Sequence, residues 1–436
     1  MHIHDCCREA GVVGAGGAGF PTHIKLNAKA EIVLANGAEC EPLLRVDQQL
    51  MIAHTREIIR GMRLAMDACG AGEGVFCIKA KHKNVIAAME AACESGMRVF
   101  PLRDYYPAGD EQQMAYDAVG RIVPVGGIPI DAGIVVQNVS TLRNIALACD
   151  QHIPVTHKHV TITGEVKTPV TLNLPIGMSI RQGIALAGGP ACEQGYGLIV
   201  GGPMMGYVEN NWDGVITKTT GGLIVLRADH LHYARKAAPK QFNEKMARSV
   251  CCQCMLCSQM CPRNLLGLGV HPHMAMRAKA YGTELQENGA FSCCNCGICS
   301  YFACPFSLMP SAMLTEQKDR LAASGAKPVK MRPEQAAPNR SYGLVPVKRL
   351  IMRLGLSPYD VAAPLDERPI HVPKVTIPTK MHIGAPCQPT VKVGDEVAQG
   401  DVIAKPEEGK LGVNIHASIS GKVQSADSRF IVICAR

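Results

Sequence analysis

Two cysteine runs carry the most specific chemical signal in the sequence. They read Cys251-x-x-Cys254-x-x-Cys257-x-x-x-Cys261-Pro262 and Cys293-x-x-Cys296-x-x-Cys299-x-x-x-x-Cys304-Pro305. Three cysteines at two-residue gaps, followed by a distal cysteine and a proline, are typical of 4Fe–4S cluster ligands. When two such runs face each other, each trio binds one cluster and the fourth cysteine reaches the neighbouring cluster. The spacing therefore predicts two 4Fe–4S clusters and the transfer of single electrons.

Other uses of these cysteines agree less well with the spacing. A zinc ribbon needs two C-x-x-C pairs, so the remaining cysteines of each run would have no role. Disulfides are disfavoured because Met1-His2-Ile3-His4-Asp5 does not lead into the apolar stretch of a secretion signal. Two points stay open. Cys252 and Cys294 each adjoin a predicted ligand and could replace it, and the second run has one extra residue before Cys304.

A glycine-rich segment near the start of the chain predicts a phosphate-binding loop. The run Gly14-Ala-Gly16-Gly17-Ala-Gly19 matches the pattern G-x-G-x-x-G. The usual dinucleotide fingerprint follows a strand and opens into a helix, whereas residues 6–10 are not strand-like and Pro21 would interrupt a helix at that point. A conventional Rossmann turn is therefore disfavoured. The glycines still let backbone N–H groups approach a phosphate, which favours a phosphate-bearing cofactor over a purely structural loop.

Two acidic turns are candidates to complete that site. The segment from Asn36 to Pro42 contains two carboxylates and follows an apparent strand at 32–35. The segment from Tyr106 to Glu111 is a second turn that contains acidic residues. Ligands gather at the carboxyl ends of strands in open α/β sheets, so both turns are expected near the cofactor. The alternative for each turn is an ordinary solvated loop.

Hydrophobic periodicity predicts a multidomain α/β protein. Strands at 74–79, 97–101 and 133–137 alternate with helices at about 82–94 and 140–149, which favours a mostly parallel sheet. A β-rich module is expected up to about residue 226, and short β-type runs separated by turns predict an all-β module at the C-terminus. The amphipathic set Val347, Leu350, Ile351 and Leu354 predicts a docking helix within a basic, proline-rich linker. The predicted domains are 1–150, 151–232, 233–325, a linker at 326–369, and 370–436.

Composition and charge exclude some classes of partner. The chain has 436 residues, a formal charge of +8 and few aromatic residues, and no basic stripe interleaves with aromatic side chains. Nucleic acid is therefore not an expected partner. No apolar stretch reaches the roughly twenty residues of a membrane span, so no transmembrane segment is expected. The scattered single cysteines favour a reducing, cytoplasmic compartment.

The glycine loop and the acidic turns resemble a known group of flavoproteins. The run Gly14–Thr22, the segments Asn36–Pro42 and Tyr106–Glu111, and Asn138-Val-Ser-Thr141 are similar to the FMN- and NADH-binding subunit of respiratory complex I. They are more similar to RnfC, a component of the Rnf electron-transport complex. In these families the segments hold FMN, and NADH stacks on the flavin. The resemblance implies a Rossmann-like flavin domain with these cofactor-binding residues: Gly14, Gly16, Gly17, Gly19, Lys25, Asn36, Glu39, Glu41, Tyr106, Gly109, Glu111, Asn138 and Thr141.

Two further modules extend the resemblance over nearly the whole chain. Residues 157–206 resemble an SLBB β-grasp domain, the 233–325 region a two-cluster ferredoxin-like domain, and residues 382–421 a barrel-sandwich hybrid domain. The last module precedes the flavin domain in RnfC but lies at the C-terminus here. In this permuted domain order the chain resembles the family of propanediol-utilisation cobalamin reductases. The extra residue before Cys304 departs from the Rnf pattern.

The family resemblance implies an NADH-dependent oxidoreductase that reduces cob(III)alamin to cob(II)alamin and reactivates the cofactor for 1,2-propanediol utilisation. A flavin can pass the two electrons of NADH on singly, so cofactors rather than catalytic side chains carry the chemistry. Because cluster potentials span about −700 to +450 mV, further reduction to cob(I)alamin stays open. The resemblance also implies a bacterial microcompartment and an adenosyltransferase or diol dehydratase partner. The oligomeric state is not predicted.

Two other functions remain as alternatives. One is an RnfC-like component that passes electrons from NADH to a protein acceptor, and the other is a non-catalytic scaffold with structural clusters. The D-x-H-x-x-G run of base-off cobalamin binders is absent from the sequence. His152, His157 and His159 are expected in loops or at the surface rather than as cobalt ligands.

Overall fold

The computed structural model describes residues 2–17, 19–210, 212–283 and 288–435. Ala18 in the predicted glycine loop, Asn211 in the predicted β-grasp domain and residues 284–287 in the predicted cluster domain lie outside the described residues. The described chain forms, in order, a parallel α/β unit, a mixed β-sheet unit, a helical cysteine-rich unit and a C-terminal β unit. None of the described helices is long and apolar enough to span a membrane.

The first unit is a parallel sheet covered by helices on both faces. Its strands are β1 (Ile32–Gly37), β2 (Glu73–Lys79), β3 (Met97–Leu102), β4 (Tyr105–Tyr106) and β5 (Ile134–Asn138). Its helices are α1 (Ile3–Glu9), α2 (Thr22–Leu26), α3 (Val46–Ala53), α4 (Thr55–Cys69), α5 (Lys83–Ala92), α6 (Glu111–Val119) and α7 (Val139–Gln151), with a 3-10 turn at Pro129–Ala132. The sheet has the order β3-β2-β1-β5 with parallel neighbours, as the alternating pattern predicted.

Both faces of this sheet are buried because successive residues point to opposite sides of a strand. Val33 and Ala35 of β1 pack into one hydrophobic cluster, and Ile32 and Leu34 pack into another on the opposite face. Helix α4 covers the first face and crosses α7 at Gly61, where an added Cβ would lie 1.9 Å from the carbonyl oxygen of Leu142. This crossing therefore requires glycine.

The second unit is a mixed sheet with one helix. It contains β6 (His157–Gly164), β7 (Val170–Pro175), α8 (Ile180–Leu186), β8 (Tyr196–Val200), β9 (Tyr207–Glu209) and β10 (Gly222–Arg227). A two-residue strand, β12 (Leu365–Asp366), joins from the later linker, which gives the order β12-β7-β6-β10-β8-β9. The linker is therefore anchored to this sheet along part of its length.

The cysteine-rich unit consists of short helices. They are α9 (Leu231–Ala237), α10 (Lys240–Val250), α11 (Leu256–Gln259), α12 (Pro262–Leu265), α13 (Pro272–Tyr281), a 3-10 turn at Asn288–Ser292, a π-helical turn at Cys299–Ala303, and α14 (Pro310–Ala323). The linker adds α15 (Arg340–Gly343), β11 (Val345–Pro346), α16 (Val347–Arg353) and a 3-10 turn at Ser357–Tyr359. Strand β11 pairs with β4. The predicted amphipathic set lies on and just after α16, and its four residues are buried.

The C-terminal unit is all β, as predicted. Its strands are β13 (Lys374–Pro378), β14 (Gln388–Pro389), β15 (Glu396–Val397), β16 (Val402–Lys405), β17 (Ile415–His416), β18 (Gly421–Ala426) and β19 (Phe430–Cys434). They form two sheets, β13-β19-β18-β15 and β14-β16-β17. Their buried side chains continue the hydrophobic core of the second unit, and the backbone N–H of Ile383 donates to the carbonyl of Gly19 at 3.0 Å. The unit therefore contacts the glycine loop directly.

Candidate flavin and iron–sulfur sites

The glycine loop lies between two helices, α1 and α2, and an antiparallel bridge between Val13 and Pro21 closes it. It is preceded by a helix rather than a strand, as the sequence suggested. Gly17 has a φ of +118°, and an added Cβ would meet no described atom within 4 Å. The N–H of Ala15 donates to Oγ1 of Thr141 at 2.9 Å, which fixes the loop at the start of α7. The loop thus presents conformationally permissive backbone to open space at one edge of the sheet.

Two predicted asparagines end neighbouring strands at this edge. Asn36 and Asn138 are partners in the register of β1 and β5. The Asn36 Nδ2 donates to the carbonyl of Gly109 at 2.9 Å. Asn138 caps α7 by accepting the N–H of Ser140 at 2.9 Å, and its Nδ2 donates to Oδ2 of Asp47 at 2.9 Å. The structure therefore brings the glycine loop and both acidic segments to the carboxyl ends of the strands.

A lysine and a carboxylate from separate elements meet beside the loop. The Nζ of Lys25 on α2 donates to Oε1 of Glu111 at 2.9 Å and to the carbonyl of Val136 at 2.7 Å. Both side chains are partly exposed, at 29% and 41%. Asp110 caps α6 by accepting the N–H of Gln112. Lys25 thus holds a positive charge that an anionic ligand can reach from solvent.

Three ionisable groups, Glu39, Asp47 and the buried Lys158, lie below the same edge. Glu39 accepts the backbone N–H of Val46 at 2.5 Å. Burial, together with the nearby Asp47 charge, raises the pKa of Glu39 to about 8. Burial lowers the pKa of Lys158 to about 8, although Asp47 and Glu39 oppose that shift. The Nζ of Lys158 donates to the carbonyl oxygen of Ala15 at 2.8 Å. A residue of β6 therefore supports the glycine loop.

Glu41 and Tyr106 point instead toward other units. The Glu41 carboxylate accepts the N–H groups of Met204 at 2.8 Å and Met205 at 3.0 Å. The buried Tyr106 hydroxyl lies 3.2 Å from Glu41 Oε1 and 2.9 Å from the carbonyl oxygen of Cys296, both of which are acceptors. Glu41 therefore joins the flavin unit to the β-grasp unit, and Tyr106 joins it to the cysteine-rich unit. Their predicted contact with flavin stays a prediction.

The two cysteine runs have the same backbone conformation. The second and fourth residues after the first cysteine are left-handed in both runs, with φ of +57° and +62° at Gln253 and Met255. The corresponding values are +55° and +76° at Asn295 and Gly297. A left-handed conformation costs a non-glycine residue about 1–2 kcal/mol. Left-handed residues at matched positions in both runs indicate that each run turns its first three thiols toward one point.

Several thiols of one run lie close to thiols of the other run. Burial, followed by the nearby Cys304, raises the pKa of Cys257 to about 12. Burial also raises the pKa of Cys261, and the nearby Cys293 adds to the rise. Burial is also the main cause of the raised pKa of Cys299, and Cys293, Cys261 and Cys257 add to the rise. Cys304 is thus a neighbour of Cys257, and Cys261 is a neighbour of Cys293 and Cys299, while the grouping of these thiols around two clusters stays a prediction.

The extra residue of the second run is absorbed by a change of helix type. The residues between the third and fourth cysteines of the first run belong mainly to the α-helical turn α11. The corresponding residues of the second run, Cys299–Ala303, form a π-helical turn. A π-bulge accommodates a single inserted residue. Cys304 therefore lies near Cys257 of the first run despite the longer spacing.

The neighbouring cysteines differ from each other in position. Cys252 is exposed, whereas Cys294 is hydrogen-bonded to Cys296, which is the main cause of its lowered pKa. Cys294 is therefore a stronger candidate than Cys252 to replace the neighbouring ligand. The described residues hold one group of three His, Cys, Asp or Glu ligand atoms within 4.8 Å of one another, and it contains no cysteine.

Family models match four successive parts of the chain. The Nuo51 FMN-binding domain matches residues 7–147, and the SLBB domain matches residues 159–208. The 4Fe-4S dicluster domain matches residues 250–309, and the RnfC barrel sandwich hybrid domain matches residues 359–434. The expected fold class is confirmed, because these are the four domain types and the sheets are those described above.

Full-length relatives decide the family. The cobalamin reductase PduS of Salmonella typhimurium is 43% identical over 99% of this chain and 96% of its own length. PduS of Citrobacter freundii is 41% identical with the same coverage. The chain belongs to the PduS family. The C component of the Na(+)-translocating ferredoxin:NAD(+) oxidoreductase complex of Acetobacterium woodii is 36% identical over 60% of this chain and 58% of its own length.

Membership of the PduS family makes this chain an oxidoreductase with an FMN-binding domain and a 4Fe–4S dicluster domain. The residues at the sheet edge fit a flavin phosphate. Thr22, which follows the glycine loop, is 1% exposed, and its Oγ1 has no hydrogen-bond partner among the described residues. A buried hydroxyl without a partner is expected where a ligand oxygen completes the site. The open backbone at Gly17 and the accessible Lys25 agree with the same ligand.

In this PduS-family chain the flavin and cluster units are in direct contact. The buried Arg263, two residues after Cys261, forms an ion pair with Asp110 at 2.6 Å. The Nε2 of Gln113 donates to the carbonyl of Pro262 at 2.8 Å. These contacts and the Tyr106 hydroxyl join the acidic turn to both cysteine runs. The two cofactor sites therefore share one interface.

Sequence reasoning missed several residues of the PduS-family site. Asp47 contacts the predicted Asn138, Lys158 contacts the glycine loop at Ala15, and Arg263 contacts the acidic turn at Asp110, but none of the three belongs to a predicted motif. The expected loop or surface position is wrong for His159, which lies buried on β6, and for His157, which lies partly buried on the same strand. Both follow from the unpredicted packing of β6 against the flavin unit, whereas His152 ends α7 and is exposed.

Proposed function

We propose that this chain oxidises NADH and passes the electrons singly to a corrinoid, reducing cob(III)alamin to cob(II)alamin through FMN and two 4Fe–4S clusters. One NADH releases two electrons and one proton, so it supports the reduction of two cobalt ions. The full-length similarity to PduS supports the substrate class. The observation that carries the electron route is the direct contact of both cysteine runs with the flavin unit, through Tyr106 at Cys296 and Asp110 at Arg263.

The site residues would divide the work of binding FMN. Backbone N–H groups around Gly17 and the ammonium group of Lys25 would hold the phosphate. Asn36 and Thr141 would fix the geometry of the edge through Gly109 and Ala15. Bound FMN accepts two electrons as hydride and releases them one at a time. The Glu39–Asp47–Lys158 group would set the local charge below the loop.

Exposure suggests the direction of electron flow through the clusters. The second trio lies nearer the flavin unit because Tyr106 donates to the carbonyl of Cys296. In the first run Cys254 is exposed and Met255 is 44% exposed. Electrons would therefore enter at the second trio with Cys261 and leave from the first trio with Cys304. The corrinoid would approach the surface near Cys254.

An anaerobic absorbance titration tests this function. The protein reconstituted with FMN, iron and sulfide is titrated with NADH, and hydroxocobalamin is then added. The proposed reaction gives bleaching of the flavin and cluster bands, followed by the cob(II)alamin spectrum at about two cobalt ions per NADH. Flavin reduction without corrinoid reduction would contradict the corrinoid as acceptor, and no reduction by NADH would contradict the whole proposal.

A matched lysine pair tests the flavin site separately. Lys25→Ala removes a charge-assisted contact of about 1.5–3 kcal/mol, which corresponds to a roughly 10- to 100-fold weaker FMN affinity. Lys29→Ala, on the exposed segment after α2, should leave the affinity unchanged. Quenching of flavin fluorescence measures both dissociation constants. Equal affinities in the two variants would remove Lys25 from the proposed site.

A protein acceptor is the second candidate. The C component of the Acetobacterium woodii complex shares 36% identity over 60% of this chain. Exposed apolar side chains occur in both cysteine segments, with Leu256 at 38% and Phe306 at 45% exposure. Such residues suit a protein interface. Reduction of the clusters by NADH without cobalt reduction in the titration would favour this candidate.

We further propose that the chain works in a bacterial microcompartment beside an adenosyltransferase or diol dehydratase. Its similarity to the propanediol-utilisation reductases supports this setting. Co-sedimentation of the tagged chain with isolated microcompartments is the expected result. Recovery of the chain only outside the microcompartment fraction would contradict it.

A further inference from the structure

Two histidines and a glutamate from three separate units converge outside the flavin and cysteine sites. The Nε2 of His54 lies 2.9 Å from Oε1 and 3.0 Å from Oε2 of Glu367. The Nε2 of His159 lies 2.9 Å from the same Oε1. All three ligand atoms lie within 4.8 Å of one another. The imidazole rings are tilted by 56°, so their nitrogens converge on the carboxylate from different directions.

The fold holds each of these side chains on a fixed element. His54 lies between α3 and α4 of the flavin unit, and His159 is a buried residue of β6. Glu367 follows β12, the linker strand that pairs with β7. Gln49 of α3 accepts the N–H of Leu365 at 2.5 Å and donates to the carbonyl of Ala363 at 2.9 Å. The linker therefore enters the group in a defined position.

The hydrogen-bond partners of His54 leave its Nε2 facing Glu367 and its Nδ1 facing a second carboxylate. The Nδ1 of His54 lies 3.4 Å from Oε2 of Glu57, which Arg143 holds at 2.6 Å. A metal ion on Nε2 leaves the Nδ1–H free to donate to Glu57. Such an outer carboxylate commonly orients histidines that bind metals.

We propose that His54, His159 and Glu367 bind one divalent transition-metal ion of the zinc class. Two imidazoles and a carboxylate are a borderline ligand set that suits zinc, iron, cobalt or nickel better than magnesium or calcium. Ligand atoms 2.0–2.2 Å from tetrahedral zinc lie about 3.3–3.5 Å apart, a few tenths of an ångström beyond the present spacing. Glu367 is 34% exposed, so water can supply the remaining ligand. The ion would tie the linker to the flavin and β-grasp units.

Zinc binding by the complete protein tests the proposal. The chain loaded with FMN and clusters is treated with a chelator under anaerobic conditions and titrated calorimetrically with Zn²⁺. We expect about one ion per chain, with an X-ray absorption shell of nitrogen and oxygen near 2.0–2.1 Å. A sulfur shell near 2.3 Å would place the ion on cysteines and overturn the assignment. The absence of binding would overturn it as well.

Three variants locate the ion. Glu367→Gln and His54→Gln should each weaken Zn²⁺ binding at least about tenfold, as even outer-shell changes often do. His371→Ala changes an exposed histidine four residues after Glu367 and should bind like the parent protein. Zinc should also raise the thermal midpoint of the parent and His371→Ala but not of the two ligand variants. Unchanged affinity in both ligand variants would overturn the proposal, while the flavin and cluster absorption confirms that they fold.

Discussion

The flavin unit and the cysteine-rich unit are built in opposite ways. The flavin site stands on a parallel sheet with two buried faces, and Lys25, Asn36 and Asn138 already have hydrogen-bond partners within the protein. The cysteine-rich unit has helices as short as four residues and left-handed residues in both runs. Its buried thiols have raised pKa values chiefly because of burial, as at Cys257 and Cys293.

The difference indicates which cofactor each unit needs in order to fold. Hydrophobic burial on both faces stabilises the flavin sheet without its ligand. Four-residue helices and left-handed turns cannot support themselves, since an isolated helix of that length is unstable in water. Metal–thiolate bonds supply folding free energy in such regions. We therefore expect the cysteine-rich unit to depend on its clusters and the flavin unit to be preorganised.

Removal of one cluster ligand should have the largest effect. Cys299→Ala should lose one cluster, lower the iron content from about eight to about four per chain, and abolish electron transfer beyond the flavin. The cysteine-rich unit should also become sensitive to proteolysis, while NADH still bleaches the flavin. Iron analysis, limited proteolysis and the NADH titration measure these outcomes.

The neighbouring cysteines provide the control for this prediction. Cys252→Ala changes an exposed thiol and should keep the full iron content. Cys294→Ala should also keep it if Cys296 is the ligand, although Cys294 lies against Cys296. Full iron content in Cys299→Ala would contradict the assignment of the second trio.

The ion pair between the two units should have the next largest effect. Asp110 and Arg263 are each 10% exposed and lie 2.6 Å apart. Asp110→Ala leaves a buried guanidinium without its partner, so unfolding should become easier by about 3–5 kcal/mol. Glu73→Ala breaks the exposed pair with Arg98 and should cost at most about 1 kcal/mol. Urea denaturation of both variants measures the difference, and equal costs would contradict a buried link between the units.

The sequence predicted the parts of the molecule that depend on local pattern. Apolar runs predicted strands β1, β2, β3 and β5, and the structure confirms them within one or two residues at each end. Cysteine spacing predicted a 4Fe–4S domain, which the family model over residues 250–309 confirms. The predicted helix near residue 347 is confirmed as α16.

Contacts between distant segments could not be predicted in the same way. Lys158 reaches the glycine loop across more than a hundred residues, and Glu41 turns toward Met204 rather than toward the loop. Strand β12 joins a sheet whose other strands end at residue 227. No local period records such pairings, because each depends on how complete units pack together.

The carboxylate of Glu39 below the loop predicts a pH dependence of the flavin unit. The pKa of Glu39 rises from 4.5 to about 8 on folding, mainly because of burial. Its contribution to stability is therefore fully present below pH 4.5 and is lost as the pH rises through 8. Between pH 6 and pH 8 the loss should approach about 1.4 kcal/mol per pH unit, or about 2–3 kcal/mol in total. Glu39→Gln should remove this slope.

Urea denaturation at several pH values checks the slope. Glu90→Gln, an exposed change on α5, should keep the slope of the parent protein. Identical slopes in Glu39→Gln and the parent would show that Glu39 is ionised in the folded state, held by Lys158. Glu39 and Lys158 would then both be charged in the folded protein, and Glu39 would not be neutralised by a proton.

The smallest expected effect lies at the contact of Tyr106, in the flavin unit, with the cysteine-rich unit. Tyr106→Phe removes a buried hydroxyl that lies 2.9 Å from the carbonyl of Cys296 and 3.2 Å from Glu41. Loss of one buried hydrogen bond should cost about 1–2 kcal/mol. Both clusters should still assemble, because the sulfur ligands are unchanged. Tyr342→Phe is the control, since Tyr342 is 90% exposed and should have no effect. If Tyr106→Phe instead lost iron, the second cluster would depend on the flavin unit for its assembly. The flavin unit and the cysteine-rich unit would then fold together, rather than the flavin unit being preorganised and the cysteine-rich unit depending on its clusters alone.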